Sequence, residues 1–151
     1  DFGGNIQTLG AKPDNSFWKV GIRNPWQEGA ACALKVKNMA VITSGGYERY
    51  FEDEKGNRYI HIFDPKTGKP CNSDIESVTI ICSRGMYADA LSTSLFVMGR
   101  QAAINFWKEN SGFDFVILTK DHSLIYSQNL QGNIEPLIQF KNMECVKSSA
   151  L

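Results

Sequence analysis

Short apolar runs separated by polar turns dominate the first half of the chain. The runs are rich in β-branched and aromatic residues and are bounded by Gly, Pro, Asn or Asp, which is typical of β-strands. The polar stretch 53–57 separates two such runs and predicts a hairpin. Strands are predicted at residues 2–9, 17–23, 34–43, 47–52, 59–63 and 75–82.

The apolar positions then change to a helical period. They recur at three- to four-residue intervals across 87–98, and the same face continues to residue 106. A final hairpin is predicted at 113–119 and 123–127, followed by a tail with one possible last strand. Strands around one helical region favour the α+β class, with a mostly antiparallel sheet and one main helical region packed on it.

Composition narrows the class of protein. The chain has 151 residues, enough for one domain with a core. Sixteen basic residues balance sixteen acidic ones, so no overall field favours nucleic acid or an anionic membrane surface. No apolar run is long enough to span a bilayer as a helix. The four cysteines lack C-x-x-C spacing, which makes a zinc site unexpected and leaves three disulfide pairings open.

Residues 61–70 form the first segment with candidate chemistry. This loop carries His61, Asp64 and Thr67 among two prolines and a glycine. A histidine in this place could transfer protons or make a structural hydrogen bond. Asp64 and Thr67 could contribute to a site or only set a tight turn, since Asp-Pro and Gly favour turns.

Residues 88–93 form the second segment. Asp89 and Thr93 are four residues apart and Ser92 is adjacent, so their oxygens share one face of a predicted helix start. Such oxygens suit a hard cation such as Mg²⁺. The alternative is that Asp89 only caps the helix and stabilises it through a favourable interaction with the helix dipole.

The glycine pair after Ser44 is a weaker candidate. Gly45 and Gly46 could let backbone N–H groups approach a phosphate. They could equally form a hairpin turn that needs glycine at positive φ.

Five segments in this order resemble the ApbE-type family of FAD:protein FMN transferases. They are Phe-Gly-Gly-Asn-Ile at 2–6, Trp-Lys-Val-Gly-Ile-Arg-Asn-Pro at 18–25, the stretch 41–51, the loop 61–70 and the helix start 88–93. The resemblance runs from the first residue to about residue 129. It implies that residues 1–151 are the C-terminal portion of a flavin transferase domain whose N-terminal half is absent from this chain.

The resemblance also implies roles for the candidate residues. FAD would be the substrate, and its FMN part would pass to a Thr or Ser of a flavoprotein subunit of a redox complex, with release of AMP. The catalytic residues would be His61 and Asp64, the cofactor-binding residues Phe63, Ser44, Gly45 and Thr67, and the Mg²⁺ ligands Asp89, Thr93 and Ser92. The protein is expected outside the cytoplasm or in the periplasm, membrane-associated through a lipid anchor on an N-terminal region. Two alternatives stay open, a non-catalytic FAD-binding module and an FAD pyrophosphatase that yields FMN and AMP.

Overall fold

The architecture is known from a computed structural model that describes residues 1–47, 50–56, 58–110 and 112–148. Within these residues the chain forms thirteen strands and two α-helices. The strands are β1 Ile6–Gln7, β2 Trp18–Arg23, β3 Ala30–Val36, β4 Ala40–Gly45, β5 Tyr50–Glu52, β6 Arg58–Ile60, β7 Phe63–Asp64, β8 Lys69–Pro70, β9 Ile75–Cys82, β10 Asp114–Thr119, β11 Ser123–Ser127, β12 Ile134–Pro136 and β13 Asn142–Val146. The helices are α1 Gly85–Met98 and α2 Arg100–Glu109.

A six-stranded sheet organises the molecule. Its strand order is β1-β4-β9-β10-β11-β13, and all neighbours are antiparallel except β11 and β13. Strand β9 is central because its eight residues are almost all buried and it pairs with both β4 and β10. The predicted α+β class with a mostly antiparallel sheet is therefore confirmed, and the possible last strand exists as β13.

Both faces of this sheet are covered. Helices α1 and α2 pack on one face, and a small sheet of order β12-β3-β2 packs on the other. Alternation along the strands divides the core, since successive side chains point to opposite faces. On β4, Ile42 joins the helix side while Val41 joins the small-sheet side. On β10, Phe115 and Val116 divide in the same way.

Two predicted strands differ in extent from the structure. The predicted strand 2–9 is only the two-residue β1. The predicted strand 34–43 is two strands, β3 and β4, separated by a turn at Asn38 with φ 55°. Asparagine is one of the few non-glycine residues that adopts this left-handed conformation readily. The helix predicted at 87–98 ends at Met98 as expected, and the apolar face that continues to residue 106 belongs to a second helix, because Gly99 has φ 79° and ψ 165° and interrupts the helical backbone. These angles lie outside the α-helical region.

The predicted hairpin at 47–63 forms, with β5 and β6 paired through Tyr50 and Ile60. Its predicted residues 48, 49 and 57 lie outside the described residues. Residues 61–63 do not continue β6. Phe63 instead belongs to β7, which makes a two-residue pairing with β8. The loop 61–70 is thus a small hairpin of its own.

All four cysteines are free thiols, and Cys82 is buried in β9 as expected for a small apolar side chain. Burial raises the pKa of Cys32 to about 12. Its thiol is therefore protonated at neutral pH and a poor nucleophile. No helix in the described part of the chain is long and apolar enough to cross a membrane.

Candidate functional site

Helix α1 begins earlier than the sequence pattern predicts, and this changes the interpretation of Asp89. The helix starts at Gly85, its first turn contains no acidic residue, and its N-cap Arg84 makes no side-chain capping bond. Asp89 therefore lies in the second turn, beyond the backbone N–H groups that a capping side chain satisfies. The capping interpretation of Asp89 is wrong, and another reason is needed for a carboxylate at this position.

Two residues from the sheet contact the polar face of α1. The side-chain amide of Asn5, just before β1, donates to Asp89 Oδ1 at 3.2 Å. The hydroxyl of Ser44, near the end of β4, lies 2.9 Å from Thr93 Oγ1 and 2.8 Å from Ser92 Oγ. Asp89 and Thr93 are exposed, so both keep oxygen atoms open to a ligand. The structure thus brings the Ser44 and Asp89–Thr93 candidates together.

Ser92 differs from its two neighbours because it has no exposed surface (0%). Its hydroxyl donates to the backbone carbonyl of Asp89 at 2.9 Å and also contacts Ser44. The Ser92 hydroxyl therefore has its hydrogen-bond partners inside the protein. Its predicted contact with Mg²⁺ stays a prediction, and the observed contacts place it behind Asp89 and Thr93.

The loop 61–70 has its shape set by Asp64. One carboxylate oxygen accepts a bond from the backbone N–H of Lys66 at 2.8 Å, and its carbonyl accepts one from Gly68 at 2.8 Å. The hydroxyl of Thr67 accepts a bond from the N–H of Lys69 at 3.3 Å. Gly68 has φ 65°, which glycine adopts without a steric penalty. The tight-turn interpretation of Asp64 and Thr67 is confirmed, and their catalytic and binding roles stay predictions.

The loop and the helix enclose a common cavity of about 600 Å³. The loop contributes Phe63, Asp64, Pro65 and Lys66, and α1 contributes Thr93, Ser94, Val97 and Met98. The two segments are distant in sequence, so their shared cavity is a product of the fold. Its wall combines apolar surface, a hydroxyl, a carboxylate and a lysine, which suits a ligand with both an aromatic ring and phosphate groups.

His61 lies on the other side of Phe63. It is exposed and lines a second cavity of about 340 Å³ with aromatic side chains of the β5–β6 hairpin. Phe63 lines both cavities and is 55% exposed. Of these two predicted residues, Phe63 therefore belongs to the common cavity, and His61 belongs to the neighbouring one. Sequence reasoning missed the aromatic wall formed by Tyr50, Phe51 and Tyr59, because a strand pattern alone does not reveal which apolar side chains lack a covering layer.

Gly45 and Gly46 are required for close packing rather than for a turn. Neither is among the glycines at positive φ, so the hairpin-turn interpretation is wrong. A Cβ on Gly45 would lie 2.5 Å from the Tyr47 ring and 3.1 Å from the carbonyl oxygen of Glu76. A Cβ on Gly46 would lie 2.8 Å from Ile60. The predicted cofactor contact of Gly45 stays a prediction.

Gly45→Ala should lower the free energy of unfolding by about 1–3 kcal/mol, the usual cost of forcing extra atoms into a packed site. Urea unfolding followed by circular dichroism measures this. Gly85→Ala is the matched control, since no atom lies closer than 3.5 Å to the added Cβ there. Equal stability of the Gly45 variant and the wild type would contradict the packing explanation.

The donor set around Asp89 fits magnesium. No group of three or more His, Cys, Asp or Glu side chains that could hold a metal lies in the described ranges. One exposed carboxylate and one exposed hydroxyl are too few for a closed protein cage. They match the preference of Mg²⁺ for few protein oxygens, several waters and substrate phosphates. The residues present therefore suit a cation that arrives with a phosphorylated ligand.

Comparison with known proteins identifies the family of the chain. The sequence profile of the ApbE family matches residues 1–117. The chain belongs to the ApbE family. All the predicted site residues, as well as Asn5, lie within the matched region.

Relatives support the assignment at the level of the whole chain. The FAD:protein FMN transferase of Treponema pallidum is 38% identical over 147 residues, covering 91% of this chain and 40% of the relative. That of Klebsiella pneumoniae is 32% identical over 139 residues, covering 91% and 42%. The chain thus spans about two fifths of the length of these relatives.

Solved structures support the fold. The ApbE protein of Thermotoga maritima matches with a TM-score of 0.78 and 35% identity, over 87% of this chain and 42% of that one. The flavin transferase ApbE of Vibrio cholerae matches with a TM-score of 0.67 and 31% identity, over 80% and 38%. The strands β11 and β13 lie beyond the residues matched by the family profile and form one edge of the six-stranded sheet of this chain.

Proposed function

We propose that this chain is part of an FAD:protein FMN transferase that moves FMN from FAD to a Thr or Ser hydroxyl of a flavoprotein. The observation that carries the proposal is the common cavity of about 600 Å³, where the loop 63–66 faces the Thr93 side of α1. An aromatic ring system needs apolar surface, which Phe63, Val97 and Met98 supply here. A pyrophosphate needs positive charge, which Lys66 and a cation held near Thr93 would supply. The relatives named above as FAD:protein FMN transferases support the same activity.

The reaction is a phosphoryl-type transfer. The acceptor hydroxyl oxygen forms a bond to the phosphorus on the FMN side of the pyrophosphate. The bond from this phosphorus to the bridging oxygen breaks, AMP leaves with that oxygen, and the hydroxyl proton passes to a base. Such reactions depend mainly on neutralised charge and in-line positioning.

Asp89 and Thr93 would hold Mg²⁺, and Ser92 supports them from behind. The cation would supply neutralisation of the pyrophosphate charge. Phe63 and the neighbouring loop backbone would pack against the flavin, while Asp64 and Thr67 keep the loop in shape. Ser44 and Gly45 would border the same site from the end of β4.

His61 is the proposed base and acid. It lines the second cavity together with Phe63, which also lines the common cavity, while His122 stacks on Trp26 with ring centroids 4.3 Å apart. An imidazole nitrogen can accept a proton from the acceptor hydroxyl and give it to the leaving group. Because His61 is exposed, an acceptor protein can reach it from solvent.

A transfer assay on the intact protein tests the function. The protein is incubated with FAD, Mg²⁺ and a purified flavoprotein subunit with an acceptor threonine, and products are separated by chromatography and by gel fluorescence. Release of AMP together with fluorescence from FMN attached covalently to the acceptor supports the transferase. Release of free FMN and AMP with no FMN on the acceptor would indicate the pyrophosphatase. Binding of FAD with no release of AMP would indicate a binding module.

Partner and localisation follow from the same proposal. The acceptor would be a flavin-carrying subunit of a redox complex outside the cytoplasm, and the enzyme would be held near it by a lipid anchor on an N-terminal region. The support is the family resemblance. Cell fractionation with an antibody against this chain tests it, and recovery in the cytoplasm alone would contradict it.

A further inference from the structure

We propose that Asn5 and Ser44 are positioning residues that hold Asp89 and Thr93 in the geometry required for cation binding. This proposal rests on the cation site of the proposed function. Asn5 and Ser44 approach from the sheet, whereas the proposed cation ligands Asp89 and Thr93 lie on α1. Their contacts are the 3.2 Å bond from Asn5 to Asp89 and the 2.9 Å contact between Ser44 and Thr93.

Counting protons determines the direction of the hydroxyl contacts. A serine or threonine hydroxyl has one proton and can accept two bonds. The three contacts are all hydrogen bonds in one arrangement only, in which Ser92 gives its proton to the carbonyl of Asp89 and Ser44 donates to Ser92. With its proton used there, Ser44 can only accept from Thr93.

This direction prepares Thr93 for a cation. The proton of Thr93 points inward to Ser44, so the lone pairs of Oγ1 point away from the protein. Without Ser44 the hydroxyl could rotate and direct its proton at the ligand. Ser44 therefore orients the acceptor side of Thr93 towards the place where a cation would bind.

Asn5 acts on the other ligand. Its amide occupies one oxygen of the Asp89 carboxylate and leaves Oδ2 for the cation. Asn5 is held by a turn in which its carbonyl accepts a bond from the N–H of Phe2 at 3.0 Å. It is followed directly by β1, which pairs with β4. The sheet thus supplies a fixed donor for a side chain that is otherwise exposed on a helix.

Both supports are attached to the six-stranded sheet, Ser44 within β4 and Asn5 directly before β1. Strand β4 is paired with β1 on one side and with β9 on the other. Ser44 stands opposite Val78, which has no exposed surface (0%). Loss of a residue that orients a metal ligand typically lowers metal affinity about 10–100-fold.

Binding of Mn²⁺ as a probe for Mg²⁺, measured on the intact protein by electron paramagnetic resonance, tests the proposal without any turnover. Ser44→Ala should weaken Mn²⁺ binding about tenfold, near the lower end of what loss of such a supporting residue costs. Asn5→Ala should weaken it about 2–10-fold, since it removes one exposed hydrogen bond. Wild-type affinity in both variants would overturn the proposal.

A double-mutant cycle shows whether Ser44 acts through Thr93. Thr93→Val should weaken binding by itself, and adding Ser44→Ala should then have little further effect, because the two losses share one path. Fully additive losses would overturn the proposed path. The result also separates the two proposals, since a wild-type protein that binds no Mn²⁺ would contradict the cation site itself.

Thr43→Val is the matched control. Thr43 is the neighbour of Ser44 on β4 and makes a contact of 2.8 Å with Thr79, another hydroxyl. The substitution removes a similar hydroxyl pair on the opposite face of the strand. It should lower stability but leave Mn²⁺ affinity unchanged, whereas equal losses of affinity in Thr43→Val and Ser44→Ala would indicate a merely structural effect.

Discussion

Asp89→Ala should abolish Mg²⁺-dependent transfer of FMN while the fold stays intact. Asp89 is the carboxylate that stands beside the Thr93 hydroxyl on the exposed face of α1. Without Asp89 the cation would lose its carboxylate ligand, and the charge that develops on the pyrophosphate would no longer be neutralised. Mg²⁺-dependent turnover should then fall on the order of 10²–10³-fold, as for other lost electrostatic contacts. Release of AMP is measured over a range of Mg²⁺ concentrations.

The fold should tolerate this change because Asp89 is exposed and lies outside the first turn of its helix. Its side chain accepts one hydrogen bond of 3.2 Å, at the protein surface, from the half-buried Asn5. Glu109→Ala is a suitable control, since Glu109 is an exposed acidic residue at the end of α2. Wild-type dependence on Mg²⁺ in the Asp89 variant would show that the metal assignment is wrong.

His61→Ala should lower turnover much more than affinity for FAD. A proton-transfer group acts mainly in the transition state, and its loss typically costs about 10²–10⁴-fold in rate. FAD affinity should change little, because the ring and phosphates of FAD would contact the common cavity rather than the imidazole. Single-turnover AMP release and equilibrium FAD titration separate the two quantities.

His122→Asn is the matched control for this experiment. It removes the other histidine of the chain and keeps a residue that tolerates the observed φ of 64°. Its rate should equal that of the wild type. A His61 variant with normal turnover but weak FAD binding would assign His61 to positioning, and an unfolded variant would assign it to structure.

The periodicity of the sequence determined much of the fold. The buried strand β9 and the helical face beyond residue 86 were recognisable because burial imposes a local pattern on apolar residues. The pattern did not reveal the turn at Asn38, since a turn inside an apolar stretch leaves the apolar residues in place. That boundary depends on backbone conformation rather than on hydropathy.

The residue types of the candidate site were also determined by the sequence. Asp89 and Thr93 share a helix face whatever surrounds the helix, because four residues make about one turn. The loop 61–70 was recognisable from its Asp, Pro and Gly content, and Asp64 holds its turn as those residues predict. Both segments are therefore identifiable from local residue patterns alone.

Only the tertiary structure decided which residues meet. Sheet pairing places Asn5 and Ser44 against Asp89 and Thr93 although they are 84 and 49 positions apart in the chain. Packing of α1 on the sheet also encloses the cavity that the loop at Phe63 shares with Thr93. Such contacts join residues that have no local pattern in common, so the hydroxyl chain that orients Thr93 arises from the fold as a whole.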